Sequence, residues 1–195
     1  LGLLDLLKLR PTDPDCMDSL RYLKENEYYA IPGGREQFID YFAGLFPREA
    51  EGIRRYVEAL SRLSEEVGMF YLREDTTSIF SHSEAFLSPV DEFIARYVTD
   101  PRLRDILAYM NPMYGGVPHH TPAYIHALVN VLYINGEDRF VDGSSQLAEA
   151  LSDVIREYGG QVETRAEVVG IACEDRTIRR VETSDGRSFT ADRYI

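Results

Sequence analysis

The sequence predicts an α+β chain that turns α/β in character near its end. Residues 1–139 read as mainly helical with short antiparallel strands, and residues 140–195 as a β-α-β unit with an attached meander. Three observations predict this. Ile53, Val57, Leu60, Leu63 and Val67 recur at helical spacing. Leu147, Leu151, Val154, Ile155 and Tyr158 form one face of a last helix. After Gly159 the chain becomes β-rich, with Asp185-Gly186 as a hairpin-type turn.

Taken in order, Leu1–Leu9 is expected to be a helix end, broken by the prolines of "RPTDPDC". "SLRYLKENEYYAI" (19–31) predicts two short strands around Lys24-Glu25-Asn26. "PGG" (32–34) turns into a helix with Phe38, Ile39, Phe42 and Leu45 on its apolar face. Pro47 suits the first turn of the next helix, expected to run on through "VGMF" to Phe70.

Ser88-Pro89 and Asp100-Pro101 each set a capping side chain before a first-turn proline, predicting helices near 89–98 and 101–110. "NPMYGGVPHH" is a loop, and Thr121-Pro122 opens a helix that is apolar on nearly every side and so central to the core. Beyond residue 140, a helix ends at Gly159. "QVET", "VVGIAC", "IRRVET" and "SFTADRYI" then read as strands.

A chain of 195 residues with 44% hydrophobic content is long and apolar enough to bury a core. It starts at Leu1 without Met and stops at Tyr194-Ile195 inside an expected strand, so a piece of a longer protein is the expectation. The net charge of −12, with acidic residues in excess on both sides of residue 140, argues against nucleic acid or an anionic membrane as partner. Cys16 and Cys173 form no CxxC motif, and two reduced thiols in a cytoplasmic setting is the default. "AYIHALVNVLYI" (123–134) is too short for a membrane span, which takes roughly 20 residues. The opening "LGLLDLLKL" lacks the basic region and cleavage site of a signal peptide.

No catalytic residue and no metal site stands out. His119 and His120 are adjacent and His126 is six residues on, whereas helical metal ligands sit three or four apart. They read as polar residues around a helix start. His82 in "SIFSHSEAF" has no Gly-x-Ser-x-Gly elbow to serve, and Asp91-Glu92 suits the dipole of a first helical turn. The 13 Tyr and 9 Phe, among them Tyr28-Tyr29, Phe70-Tyr71 and Tyr124, are mostly core material. A tyrosine-rich helical segment also suits the wall of a long apolar pocket.

The stretch "FVDGSSQLAEALSDVIREYGGQVETRAEVVGI" (140–171) is more specific. Gly143, Ser144 and Ser145 open a helix, where free backbone N–H groups and the dipole favour an anion or a polar cofactor edge. Glycine at 143 permits close approach of a ring system. An ordinary loop–helix–strand connection is the alternative, and the residues alone leave both open.

These residues, with the "AEV" at 166–168 and the hairpin ending "ADRYI", resemble the flavin-dependent amine-oxidase-like superfamily in its phytoene desaturase, carotenoid isomerase and retinol saturase branch. "YYAIPGGREQFIDYFAGLFPREAEGIRRYVEAL" and "TPAYIHALVNVLYINGEDRF" are similar to the retinol saturase type. The resemblance covers essentially the whole chain and is most specific from residue 140 onward.

The resemblance implies an FAD-binding Rossmann-like domain split in sequence by a substrate domain. Residues 1–139 would be most of the inserted substrate-binding domain and 140–195 the return segment of the FAD-binding domain, with the dinucleotide glycine loop outside this chain. It further implies that Gly143, Ser144 and Ser145 approach the flavin and that Glu167 and Val168 hold the adenine end of FAD. Asp142 departs from the branch, which has a glycine there. The implied function is FAD-dependent oxidoreduction of C=C bonds in a polyene or isoprenoid lipid, with NAD(P)H as a candidate electron donor. The fragment alone is expected to be inactive, to self-associate through exposed apolar surface, and to be cytoplasmic or peripheral to a membrane. A flavin amine oxidase-like enzyme on a polar substrate and a non-enzymatic helical binding domain are the alternatives.

Overall fold

The computed structural model describes residues 2–68 and 82–195. Six α-helices and seven short strands are formed there, and every strand pairing is antiparallel. The mixed helical and antiparallel character is that of an α+β chain. It divides into two compact units, Leu9–Val141 and Leu1–Lys8 with Asp142–Ile195.

In the unit Leu9–Val141, strands β2 (Asp18–Tyr22) and β3 (Glu27–Ile31) form the expected hairpin, with Asn26 taking a positive φ in its turn. Helix α1 (Arg35–Leu45) buries Phe38, Ile39 and Phe42, but Leu45 is exposed because the chain leaves the helix there for Pro47. Pro47–Glu49 is a 3-10 turn that runs directly into α2 (Ala50–Glu65). Helix α2 therefore ends short of "VGMF", of which Val67 and Gly68 follow the helix and Met69-Phe70 lie outside the described residues, as does Tyr71.

Helix α2 owes its length to one continuous apolar stripe: Ile53, Tyr56, Val57, Leu60 and Leu63 are all buried. The stripe packs against α1 and against α5 (Ala123–Ile134), with α3 (Val90–Ala95) and α4 (Pro101–Leu107) closing the core. Helix α5 is buried on one face only: Ala123, His126, Ala127, Asn130, Val131 and Ile134 are inside, whereas Leu132 is half exposed. An apolar outer face thus does not make this helix central.

Two helix starts differ. Asp100 caps α4, its Oδ1 accepting from Leu103 N at 3.0 Å. Ser88 does not cap α3; its hydroxyl donates to Ala85 O at 2.8 Å, and Pro89 directly precedes the helix. Glu49 supports the approach to α4: one carboxylate oxygen accepts from Thr99 N at 3.0 Å, Asp100 N at 2.8 Å and the Thr99 hydroxyl at 2.5 Å. These donors hold its carboxyl below the usual glutamate range, the Thr99 hydroxyl contributing most. Replacing Glu49 with Ala removes a cap-like anchor and is expected to cost about 1 kcal/mol in a denaturant melt at pH 7. Glu49→Gln, which keeps an acceptor, should recover part of the loss.

Residues 2–9 form no α-helix end. A 3-10 turn at Leu4–Leu6 precedes strand β1 (Leu9–Pro11), which pairs with β4 (Asp138–Phe140) in the register Leu9↔Phe140, Arg10↔Arg139 and Pro11↔Asp138.

The other unit contains α6 (Ser145–Glu157) and the meander β5 (Val168–Glu174), β6 (Thr177–Thr183), β7 (Ser188–Phe189). Gly159 ends α6 in a positive-φ conformation, and Gly186 does the same in the β6–β7 turn. "QVET" is irregular rather than a strand: no strand among the described residues offers it a ladder, and Glu163 instead pairs with Arg187 at 2.5 Å. The last expected strand is cut to two residues because the Tyr194 hydroxyl donates to Arg179 O at 2.9 Å and accepts from Ala191 N at 3.0 Å, which bends the tail.

Candidate functional site

The five residues singled out from the sequence lie in one unit, in two places. Asp142 and Gly143 both take positive φ, +70° and +104°. Aspartate tolerates the left-handed region better than most residues, so Asp142 adopts a backbone that glycine adopts freely. A Cβ on Gly143 would meet nothing within 4 Å, leaving the turn open to an incoming group. Ser144 precedes the first residue of α6, Ser145, and no side chain caps the helix.

Gln146 fixes this turn. Its Nε2 donates to Gly143 O at 2.7 Å while its Oε1 accepts from Lys8 N at 2.5 Å. Lys8 Nζ also stands 3.8 Å from the Asp142 carboxylate, an exposed pair. The result is an open helix start, braced from behind, with the positive end of a 13-residue helix presented outward. A polar or anionic cofactor edge fits that environment.

Glu167 and Val168 stand where the chain enters β5. Glu167 O accepts from Ser184 N at 2.9 Å, and Val168 pairs with Thr183. Because β5 is an edge strand, the outward half of its backbone groups is available to a ligand or another strand. Both residues are exposed, and no hydrogen bond or ion pair joins them to Gly143–Ser145 among the described residues.

Around these places lies unsatisfied apolar surface. Leu147, Leu151 and Ile155 are exposed on α6, which buries only Ala150, as is Tyr158 just after it, and Val168, Val169 and Ile171 are more than half exposed on β5.

The histidines take up other roles. His82 stacks on Phe86, ring centroids 3.8 Å apart, and Phe86 stacks in turn on Tyr124 at 4.5 Å. The serines before it, through Ser81, lie outside the described residues. His119 Nδ1 is 2.5 Å from the carboxylate of Asp91, in the first turn of α3, and His120 Nδ1 lies 2.9 Å from Pro118 O. No group of three metal-ligating side chains converges among the described residues.

His126 is the feature the sequence reading missed. It is fully buried on α5, with Nε2 2.7 Å from the Tyr56 hydroxyl and Nδ1 2.9 Å from that of Tyr114. The Tyr114 hydroxyl donates to Asn111 Oδ1, and Asn130 Nδ2 also lies 3.1 Å from His126 Nδ1, so both ring nitrogens have polar neighbours. Asn130, one turn along, donates to His126 O at 2.8 Å. Burial holds the imidazole neutral, its pKa pushed down to about 3, and raises the Tyr56 and Tyr114 phenols. The sequence signal was a His and an Asn four residues apart in an otherwise apolar helix.

Asn111, hydrogen-bonded to the Tyr114 hydroxyl, lines a cleft of about 480 Å3 over Val90, Ile94 and Ala108, whose charged lining residues are Asp91, Glu92, Arg104 and Asp105. No helix among the described residues is long and apolar enough to cross a membrane.

The profile of a family described as flavin containing amine oxidoreductase matches residues 1–195. The chain is 28% identical over 157 residues to all-trans-retinol 13,14-reductase of Rattus norvegicus, covering 73% of this chain and 26% of that protein. It is 26% identical over 216 residues to a lycopene-forming phytoene desaturase of Paracoccus sp., covering 93% and 42%. A 4,4'-diaponeurosporene oxygenase of Staphylococcus haemolyticus is 29% identical over 149 residues, covering 72% and 29%. The chain thus spans well under half the length of these relatives.

Proposed function

The chain belongs to the flavin containing amine oxidoreductase family, and from that premise we propose that it is part of an FAD-dependent oxidoreductase acting on C=C bonds of a polyene or isoprenoid lipid. The reaction is of the retinol saturase or carotenoid desaturase and isomerase kind. The observation that carries this reading is that relatives named for retinol, phytoene and diaponeurosporene chemistry align over most of this chain.

Residues 1–139 would then be most of the inserted substrate-binding domain, and 140–195 the return segment of a split FAD-binding, Rossmann-like domain. When bound, the flavin supplies a hydride-level redox centre. Gly143, Ser144 and Ser145, at the N-terminal end of α6, would meet its polar edge, and the backbone at Glu167-Val168 would hold the adenine end of FAD. The exposed faces of α6 and β5 suit elements that complete their sheet and core elsewhere in a longer protein. They do not suit a closed binding domain without enzymatic activity. A polyene offers no charged handle, so recognition rests on pocket length and shape, with NAD(P)H a candidate electron donor.

One observation favours a second reading, in which the substrate is an amine. The 480 Å3 cleft is lined by three carboxylates, Asp91, Glu92 and Asp105, against one arginine, Arg104, a net negative setting that attracts an organic cation.

The test is the visible spectrum of the full-length protein purified without added cofactor. Flavin absorption, with polyene bleaching in a substrate screen, supports the proposal; bleaching by amines in place of polyenes selects the second reading. A colourless protein that takes up no FAD overturns both. Gly143→Val, which forces a β-branched residue to φ +104°, is expected to leave the full-length protein with substoichiometric flavin.

A further inference from the structure

Arg10 and Arg139 are directly opposite each other across the β1–β4 pair. Opposed residues in an antiparallel ladder project from the same face with Cβ atoms about 5 Å apart, and like charges there are destabilising. The chain has ample means to relieve this, with 33 acidic residues against 21 basic. Arg54, Arg102, Arg156, Arg179, Arg180 and Arg187 all have carboxylate partners. Arg10 and Arg139, like Arg35, Arg48 and Arg176, have neither an ion pair nor a side-chain hydrogen bond among the described residues, but they alone face each other across a ladder there.

Both arginines line a cleft of about 660 Å3, together with Pro11, Pro14 and Met17. The walls are held in place by the backbone. Thr12 N donates to Glu137 O at 3.0 Å, Met17 N to Ile31 O at 2.9 Å, and Gly33 N to Pro14 O at 2.9 Å. Asp13, the carboxylate in the lining, accepts from Asp15 N at 3.0 Å and forms no ion pair with either arginine. Two guanidinium forks on a braced ladder, opposed in the cleft by the single carboxylate of Asp13 and paired with no carboxylate, match the oxygens of a dianion.

We propose that Arg10 and Arg139 form a binding site for the phosphate of a small molecule of nucleotide size. The phosphate bridges the two forks and cancels their repulsion, while Pro11, Pro14 and Met17 offer an apolar shelf to the organic body. The cleft volume falls among small-molecule pockets, roughly 300–1,000 Å3, and exceeds what a bare anion fills. A nucleic-acid strand is disfavoured by the −12 net charge. The site is independent of the flavin reading.

Isothermal titration of this chain at low ionic strength, with AMP, inorganic phosphate and adenosine as probes, tests the proposal. AMP is expected to bind saturably, and Arg10→Ala or Arg139→Ala to weaken it about 10- to 100-fold. Arg10→Lys, which keeps the charge but loses the fork, should fall between. Without ligand, each alanine variant should melt at or above the parent temperature, because repulsion is removed. AMP binding tighter than phosphate supports a nucleotide-sized ligand, and equal affinities support free phosphate as the source of the same chemistry. No saturable binding, adenosine as tight as AMP, or unchanged affinity in the Arg10→Ala/Arg139→Ala double variant overturns it.

Discussion

Acidification from pH 7 is expected to destabilise the helical unit through the buried His126. The His126 ring is neutral and fully buried, and its folded pKa of about 3 lies below the ordinary value of 6.5. A lowered histidine pKa means that the unfolded chain binds the proton first. The stabilisation is therefore complete above pH 6.5 and is lost progressively as pH falls from 6.5 toward 3. The groups facing the ring from α2, α5 and the 111–114 turn are Tyr56, Asn130 and Tyr114, none of which offers an imidazolium a negative partner. The whole displacement is worth on the order of 5 kcal/mol, or about 1.4 kcal/mol per pH unit for one proton.

Guanidinium melts between pH 7 and 4.5, followed by tyrosine fluorescence, should show that slope. Glu49 also has a lowered pKa, but its contribution fades only below the ordinary glutamate value, so the two are separable by pH. His126→Gln should be less stable at pH 7 and nearly flat over the same range. A wild-type curve as flat as that of the variant would exclude the histidine as the cause.

How legible such features were depends on where their causes lie. The β2–β3 hairpin and the α2 stripe were readable because turn residues and apolar spacing are local properties. The same holds for the turn at Gly143 and the helix it opens. Strand β1 was not readable: three residues hold no periodicity, and the partner strand Asp138–Phe140 lies at the far end of the unit. "QVET" has the alternation of a strand but no ladder partner, so composition alone misled. His126 was grouped with the neighbouring loop histidines because sequence proximity hides the direction of a helix face. The apolar face of α6 was read correctly as a pattern, yet the residues stay exposed, since a pattern records the need for a partner and does not supply one.

The acidity of the chain is likewise not a uniform property. Carboxylates brace Arg102 over the Tyr22 ring through Glu25 and Glu27, and hold Arg187 through Glu163 and Asp185. Exposed pairs of this kind contribute little each. Their distribution matters more for what it leaves bare: an arginine pair on the β1–β4 ladder and a carboxylate rim on the cleft beside α3 and α4.

Gly52→Ala is expected to destabilise the chain, although helix propensity alone gives the opposite sign. Gly52 lies in the first turns of α2, where alanine would ordinarily gain about 1 kcal/mol over glycine. The Tyr97 carbonyl, just after α3, crosses this point so closely that a Cβ on residue 52 would overlap its oxygen and stand 3.2 Å from its carbon. Both partners are backbone, so no side chain can swing aside. One of two packed segments must move, and each is anchored: Ile53 is fully buried beside the glycine, and Val98 is fully buried beside the carbonyl. Overpacking a core in this way costs about 1–3 kcal/mol, enough to outweigh the propensity gain. Gly52→Ser, with the same Cβ and a poorer helix propensity, should be worse still. A denaturant melt in which Gly52→Ala matches or exceeds the parent would mean that the 97–98 segment yields, and with it the tight seat of α3 against α2.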